Sequence, residues 1–158
     1  MATTMKYRFT RALKTSNDQF IQLTVDEVID YYVECEEKEQ TPVLYEAIFG
    51  ACVPYYDFDY TYATKDLQQA ASGTDFAKAI AAVQAKWGGR ARYLWRSSHG
   101  KVKESMWKNS FHCIVRGVGY FKQGKDIPRI EECDASVYKD EGKRQLFRAL
   151  GASKEEQD

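Results

Sequence analysis

The chain has 158 residues, which fits one domain and is long enough to bury a substantial core. Hydrophobic residues make up 44% and charged residues 29% of it, a composition that excludes an intrinsically disordered protein. Its 23 basic and 23 acidic residues cancel, so overall charge gives no argument for a nucleic-acid partner. Local basic patches are needed to indicate a nucleic-acid partner.

Cysteine spacing and hydropathy narrow the cellular setting. The cysteines are Cys35, Cys52, Cys113 and Cys133, and no two form a CxxC pair, which argues against a zinc knuckle and favours free thiols in a reducing compartment. No apolar run approaches the roughly 20 residues that a membrane helix needs, and residues 1–9 lack the apolar core of a signal peptide. We therefore expect a soluble intracellular protein with no membrane partner.

The N-terminal third predicts a small α/β unit. Residues 6–13 alternate as in a first strand, and a helix is predicted to begin at Thr24. Thr24 and Glu27 have the spacing of a capping box, and an apolar stripe follows them. Residues 43–51 fit either a short helix or a strand.

The rest of the chain predicts a sheet with a flanking helix. Strands are expected over residues 53–60, 91–96 and 110–116, with a last short strand or turn over residues 145–150. A helix is expected from Thr74, with Phe76, Val83 and Trp87 on one face and a stop at Gly88. Elements alternate irregularly, which predicts an α+β fold with a mostly antiparallel sheet.

Two aspartates on the first of these strands are the strongest chemical feature. Side chains at i and i+2 share a face of a strand, so Asp57 and Asp59 point one way while Tyr56, Phe58 and Tyr60 point the other. At about 3.3 Å per residue the two Cα atoms would lie about 6.6 Å apart. Their carboxylates could bracket metal ions about 3.5–4 Å apart, as in two-metal phosphoryl transfer. Oxygen ligands favour magnesium or manganese over zinc.

Two later segments add groups that suit a metal-bound triphosphate. Lys108, Ser110 and His112 share a strand face and offer an ammonium, a hydroxyl and an imidazole as donors to phosphate oxygens. Asp134 supplies a third acid, and Arg148 and Lys154 follow it as cations for a polyphosphate. Each group alone also fits an ordinary solvated or structural residue, so the prediction rests on their combination.

The order of these motifs resembles the archaeo-eukaryotic primase superfamily. That family has an acidic hydrophobic-Asp-x-Asp strand, a Ser-x-His strand and a later hydrophobic-Asp motif. They correspond here to Asp57-Phe58-Asp59, Ser110-Phe111-His112 and Cys133-Asp134. The Asp134-Ala-Ser-Val-Tyr segment and the trailing Arg148 and Lys154 look like the branch of PrimPol and the primases of large eukaryotic DNA viruses.

The resemblance implies a single catalytic domain over residues 1–158, with an N-terminal α/β unit (1–52) and an RRM-like catalytic half (53–158). Asp57, Asp59 and Asp134 would be the catalytic ligands of two Mg²⁺ or Mn²⁺ ions. The incoming nucleoside triphosphate would meet Lys108, Ser110, His112, Arg148 and Lys154. The activity implied is template-directed nucleotidyl transfer that initiates or extends primers at sites of DNA replication, with a helicase or other replication protein as partner, carried on a further C-terminal region.

A basic stretch between residues 90 and 108 predicts where the single-stranded DNA template binds. The residues assigned to this role are Arg90, Arg92, Arg96, Lys101 and Lys103. Two alternatives stay open. One is a metal-dependent replication-initiator nuclease, although His99 and His112 are too far apart for its paired histidines. The other is a non-catalytic module that binds single-stranded nucleic acid.

Overall fold

The computed structural model describes residues 6–11, 19–48, 51–103, 105–138 and 145–148, which form an α+β protein with antiparallel sheets. The strands are β1 (Lys6–Arg11), β2 (Gln19–Thr24), β3 (Tyr45–Ile48), β4 (Tyr55–Tyr62), β5 (Arg92–Ser97), β6 (Gly100–Lys103), β7 (Met106–Arg116) and β8 (Gln145–Arg148). The α-helices are α1 (Val25–Glu37) and α2 (Lys65–Trp87). The chain divides into two compact units, Met1–Phe49 with Lys143–Asp158, and Gly50–Gly142. The assignment of one catalytic domain stays a prediction.

The first unit contains a four-stranded antiparallel sheet in the order β2-β1-β3-β8. Helix α1 follows β2 directly, and the predicted capping box at its start is confirmed. The Thr24 hydroxyl accepts from the Glu27 amide at 3.1 Å, and the Glu27 carboxylate accepts from the Thr24 amide at 3.3 Å. The ambiguous segment 43–51 contains strand β3, and β2 was not predicted.

The second unit is built on a sheet in the order β4-β7-β5, with β6 also paired to β7. Strand β7 is eleven residues long and pairs with three neighbours, which makes it the centre of this sheet. One face packs against α2 through a cluster of aromatic rings. Phe76 of α2 stacks on Phe111 at 5.1 Å, and Trp95 meets Phe76 and Phe58 at 5.4 and 5.9 Å. Phe58 and Phe111 are buried among these rings, so this face is the core of the unit.

Helix α2 begins nine residues before the predicted Thr74, at Lys65. The Thr64 hydroxyl caps it by accepting from the Leu67 amide at 3.2 Å. The prediction was wrong because Ser72-Gly73-Thr74 resembles a helix start. In the fold this stretch continues as helix, held on each side by contacts to the sheet. The Gln68 side-chain amide donates to the Lys108 carbonyl at 3.2 Å, and buried Asp75 accepts from the Asn109 side chain at 3.0 Å.

All four cysteines are free thiols, as predicted. Cys113 on β7 is fully buried, and burial raises its pKa to about 12, so the thiol stays protonated and fills the core as an apolar group. Within the described part of the chain, no helix has the length and apolar character to cross a membrane.

Candidate functional site

The strand register of the second unit places acids directly opposite hydrogen-bond donors. Asp57 on β4 lies opposite His112 on β7, and Asp59 lies opposite Ser110. On the other side of β7, Arg96 of β5 also lies opposite His112. Residues directly opposite in an antiparallel pair point to the same face, so all these side chains project from the face opposite α2. We call this the acid face.

Asp134 reaches the acid face from an irregular loop. Its amide donates to the Asp57 carbonyl at 2.9 Å, which joins the loop to the middle of β4. One carboxylate oxygen from each of Asp57, Asp59 and Asp134 lies within 4.8 Å of the other two. The three acids that sequence predicted as metal ligands therefore come together. Asp134 Oδ1 already accepts from the Ser136 amide and hydroxyl, at 2.9 and 2.7 Å.

Two tyrosines attach the segment after Asp134 to strand β4. The Tyr55 hydroxyl donates to the Val137 carbonyl at 2.8 Å, and the Tyr138 hydroxyl donates back to the Tyr55 carbonyl at 2.6 Å. Both rings are buried, and burial raises the pKa of each phenol well above its usual value, so both stay protonated donors. We call this reciprocal pair the tyrosine clamp. It joins the segment that follows Asp134 to strand β4.

Two basic groups lie beside the acids but leave one oxygen without a donor. Lys108 Nζ lies 3.6 Å from Asp59 Oδ1, and His112 Nε2 lies 3.2 Å from Asp57 Oδ1. The second contact does not have the geometry of a hydrogen bond. Within the described residues, buried Oδ1 of Asp57 accordingly has no hydrogen-bond donor. A buried carboxylate oxygen without a donor is costly, because desolvation is not offset.

The donor set fits a divalent cation. Three like charges within 4.8 Å repel one another, and a cation bound between them would offset this repulsion. It would also give Asp57 Oδ1 the partner that the described residues do not supply. Carboxylate oxygens without sulfur or imidazole in the cluster suit Mg²⁺ or Mn²⁺. Asp57, Asp59 and Asp134 are the residues that would hold it.

The three predicted phosphate donors of β7 differ in accessibility. Ser110 is 1% exposed, whereas the side chains of Lys108 and His112 retain 20% and 12% of their surface. Lys108 and His112 are therefore better placed to meet a ligand than the Ser110 hydroxyl. The Ser110 amide is held by the Nδ1 atom of His99, which accepts from it at 3.2 Å.

The remaining predicted residues lie in several places. Arg148 is in β8, opposite Tyr45 in the first unit, and Lys154 lies outside the described residues. Among the residues predicted for template binding, Arg90, Arg92 and Lys101 are exposed, Lys103 ends β6, and Arg96 is on the acid face. Lys101 and Lys65 lie 5.9 and 5.8 Å from the Trp107 ring.

Arg96 has a contact that sequence reasoning did not foresee. Its guanidinium Nη2 lies 2.6 Å from Nδ1 of His112. The sequence predicted that Arg96 binds the template strand, and that role stays a prediction. The contact seen in the structure is between Arg96 and His112, a residue predicted to bind the triphosphate. Alternation along β5 places Arg96 on the same strand face as Arg92 and Leu94. It does not indicate which strand lies beside that face.

No known family model matches the chain, and a comparison with curated proteins gives no significant match.

Proposed function

We propose that this chain is the catalytic domain of a DNA primase or primase-polymerase. It would transfer nucleotides from a nucleoside triphosphate to a 3′-hydroxyl under the direction of a single-stranded DNA template. The observation that carries the proposal is the convergence of Asp57, Asp59 and Asp134, with a buried Asp57 oxygen for which the described residues supply no hydrogen-bond donor. The order of motifs that resembles the archaeo-eukaryotic primases also supports it.

Each part of the acid face would have a distinct task in this reaction. The three carboxylates would hold two Mg²⁺ or Mn²⁺ ions. Such ions supply charge neutralisation for the triphosphate and acidify the attacking hydroxyl when bound. Lys108 and His112 flank the acids and would donate to phosphate oxygens. The tyrosine clamp would keep Asp134 in place while the substrate exchanges.

Beyond the acid face, the proposal draws on the family resemblance. The RRM-like identity of the β4-β7-β5 sheet, contacts of Arg148 and Lys154 with the triphosphate, and a replication partner such as a helicase all come from the family resemblance. Exposed Arg90, Arg92 and Lys101 would supply phosphate contacts to the template strand, in the manner of single-strand binding grooves.

Calorimetric titration of dATP or ATP, with and without Mn²⁺, tests the metal site. Wild-type protein should bind the nucleotide tightly only with metal. Asp57→Asn or Asp59→Asn should abolish this metal-dependent binding. In primer extension these variants should lose at least about 1,000-fold in rate. This corresponds to about 4 kcal/mol of transition-state stabilisation, which the metal ions held by these acids would supply. The matched control is Asp126→Asn, which removes an exposed acid from the same unit and should behave as wild type.

Substitution of His112 separates the phosphate role from the metal role. His112→Ala should raise the nucleotide KM about 10- to 100-fold, the value of one hydrogen bond to a charged group. Near wild-type synthesis by either aspartate variant would remove the metal role, and unchanged kinetics would remove His112 from the triphosphate site. Metal-independent binding of oligonucleotides without synthesis would support a single-strand binding module instead.

A further inference from the structure

The contact between Arg96 and His112 determines which ring nitrogen of the histidine carries the proton. The guanidinium has N–H donors and no acceptor, so Nδ1 of His112, 2.6 Å from Arg96 Nη2, must be the acceptor. A neutral imidazole has one N–H, which is then on Nε2. We propose that Arg96 is a positioning residue that fixes His112 in the Nε2–H tautomer and so keeps the protonated nitrogen on the side of the ring nearest Asp57.

The strand register brings the Arg96 and His112 side chains next to each other. Arg96 and Asp57 lie on opposite sides of His112, each in the directly opposed position of its own strand. Cβ atoms of directly opposed residues lie about 4.5–5.5 Å apart, so the ring is flanked on both sides. The His112 and Asp57 side chains retain 12% and 14% of their surface, which leaves little water to compete for the ring nitrogens.

The tautomer limits the chemistry available to His112. Nε2 lies 3.2 Å from Asp57 Oδ1, so the protonated nitrogen lies beside the acids that would hold the metal-bound triphosphate. The ring lone pair is on Nδ1 and accepts from Arg96, which leaves no basic nitrogen for the attacking hydroxyl. His112 is thus a donor to phosphate and does not act as the general base. This chemical consequence rests on the proposed function, but the tautomer itself does not.

Nitrogen-15 NMR of the full chain at pH 8, without metal or nucleotide, tests the tautomer directly. The chain has two histidines, so the spectrum of His99→Gln assigns both rings. His112 should show one protonated nitrogen, Nε2, and Arg96→Met should convert it to a mixture of tautomers. Arg96→Lys should restore Nε2–H in part, because its ammonium can donate to Nδ1. The control is Arg116→Met, which removes an exposed arginine from the same face of β7.

Kinetics provide the second measurement. Arg96→Met should raise the nucleotide KM about tenfold with a smaller change in kcat, and Arg96→Lys should recover part of it. A wild-type Nδ1–H ring, or an unchanged tautomer in Arg96→Met, would overturn the inference. If Arg96→Met does not fold, the wild-type and Arg96→Lys spectra decide. A fixed Nε2–H ring in a protein with no metal-dependent nucleotide binding would retain the inference and reject the primase proposal.

Discussion

The two faces of the β4-β7-β5 sheet are built from the same strands but carry different side chains, aromatic on one face and acidic on the other. On the face toward α2, Phe58 and Phe111 are buried among aromatic rings, and this face stabilises the fold. On the acid face, Asp57 and Asp59 of β4 are joined by Asp134 from a loop, and one buried Asp57 oxygen lacks a hydrogen-bond donor among the described residues. Concentrated like charge disfavours folding, so a bound ligand explains the acid face better than a contribution to stability does.

Truncation of a core ring should have the largest effect on stability. Phe58→Ala removes a fully buried ring and should lower the free energy of unfolding by about 3–5 kcal/mol in urea denaturation. Its neighbour on the other face should behave differently. Asp59→Asn should change stability by less than about 0.5 kcal/mol, because it relieves repulsion and loses one partly exposed ion pair with Lys108. Comparable losses in both variants would mean that the acid face also holds the fold together.

The tyrosine clamp should give an intermediate effect. Tyr138→Phe removes the hydrogen bond to the Tyr55 carbonyl, which should cost about 0.5–1.5 kcal/mol. The loop that carries Asp134 should then loosen, and Mn²⁺ affinity measured by calorimetry should fall several-fold. Tyr120→Phe, at an exposed position, is the matched control and should change neither quantity. Full Mn²⁺ affinity in Tyr138→Phe would show that the clamp does not position Asp134.

The smallest expected effect is a pH dependence from His99, next to the sheet. Burial lowers the pKa of His99, and its Nδ1 accepts from the Ser110 amide only when that nitrogen is unprotonated. The unfolded chain therefore binds the proton more readily, and stability should fall as pH drops from about 7 through the unfolded pKa of about 6.5 toward the lower folded value. His99→Gln cannot titrate and should flatten this dependence in thermal melts at pH 5 to 7. An equal slope in both proteins would assign it to other groups.

Local sequence rules predicted the features that depend on local geometry. Alternation along β4 and β7 gave the two faces correctly, and the spacing of Thr24 and Glu27 gave the start of α1. The start of α2 was missed because Ser72-Gly73-Thr74 resembles a helix start, and the bonds from Gln68 and Asp75 to the distant strand β7, on either side of this stretch, cannot be read from local sequence. The contact of Arg96 with His112 depends on the pairing of β5 with β7, which no single stretch of sequence specifies.

The bond from the Asp134 amide to the Asp57 carbonyl makes the acid cluster observable without any ligand. Deuterium can replace this amide hydrogen only after the loop has left the strand, so its exchange rate reports how often the three acids separate. One backbone proton thus measures the integrity of the whole arrangement. A cation that binds the assembled acids should slow its exchange in proportion to occupancy, even in a preparation that makes no product.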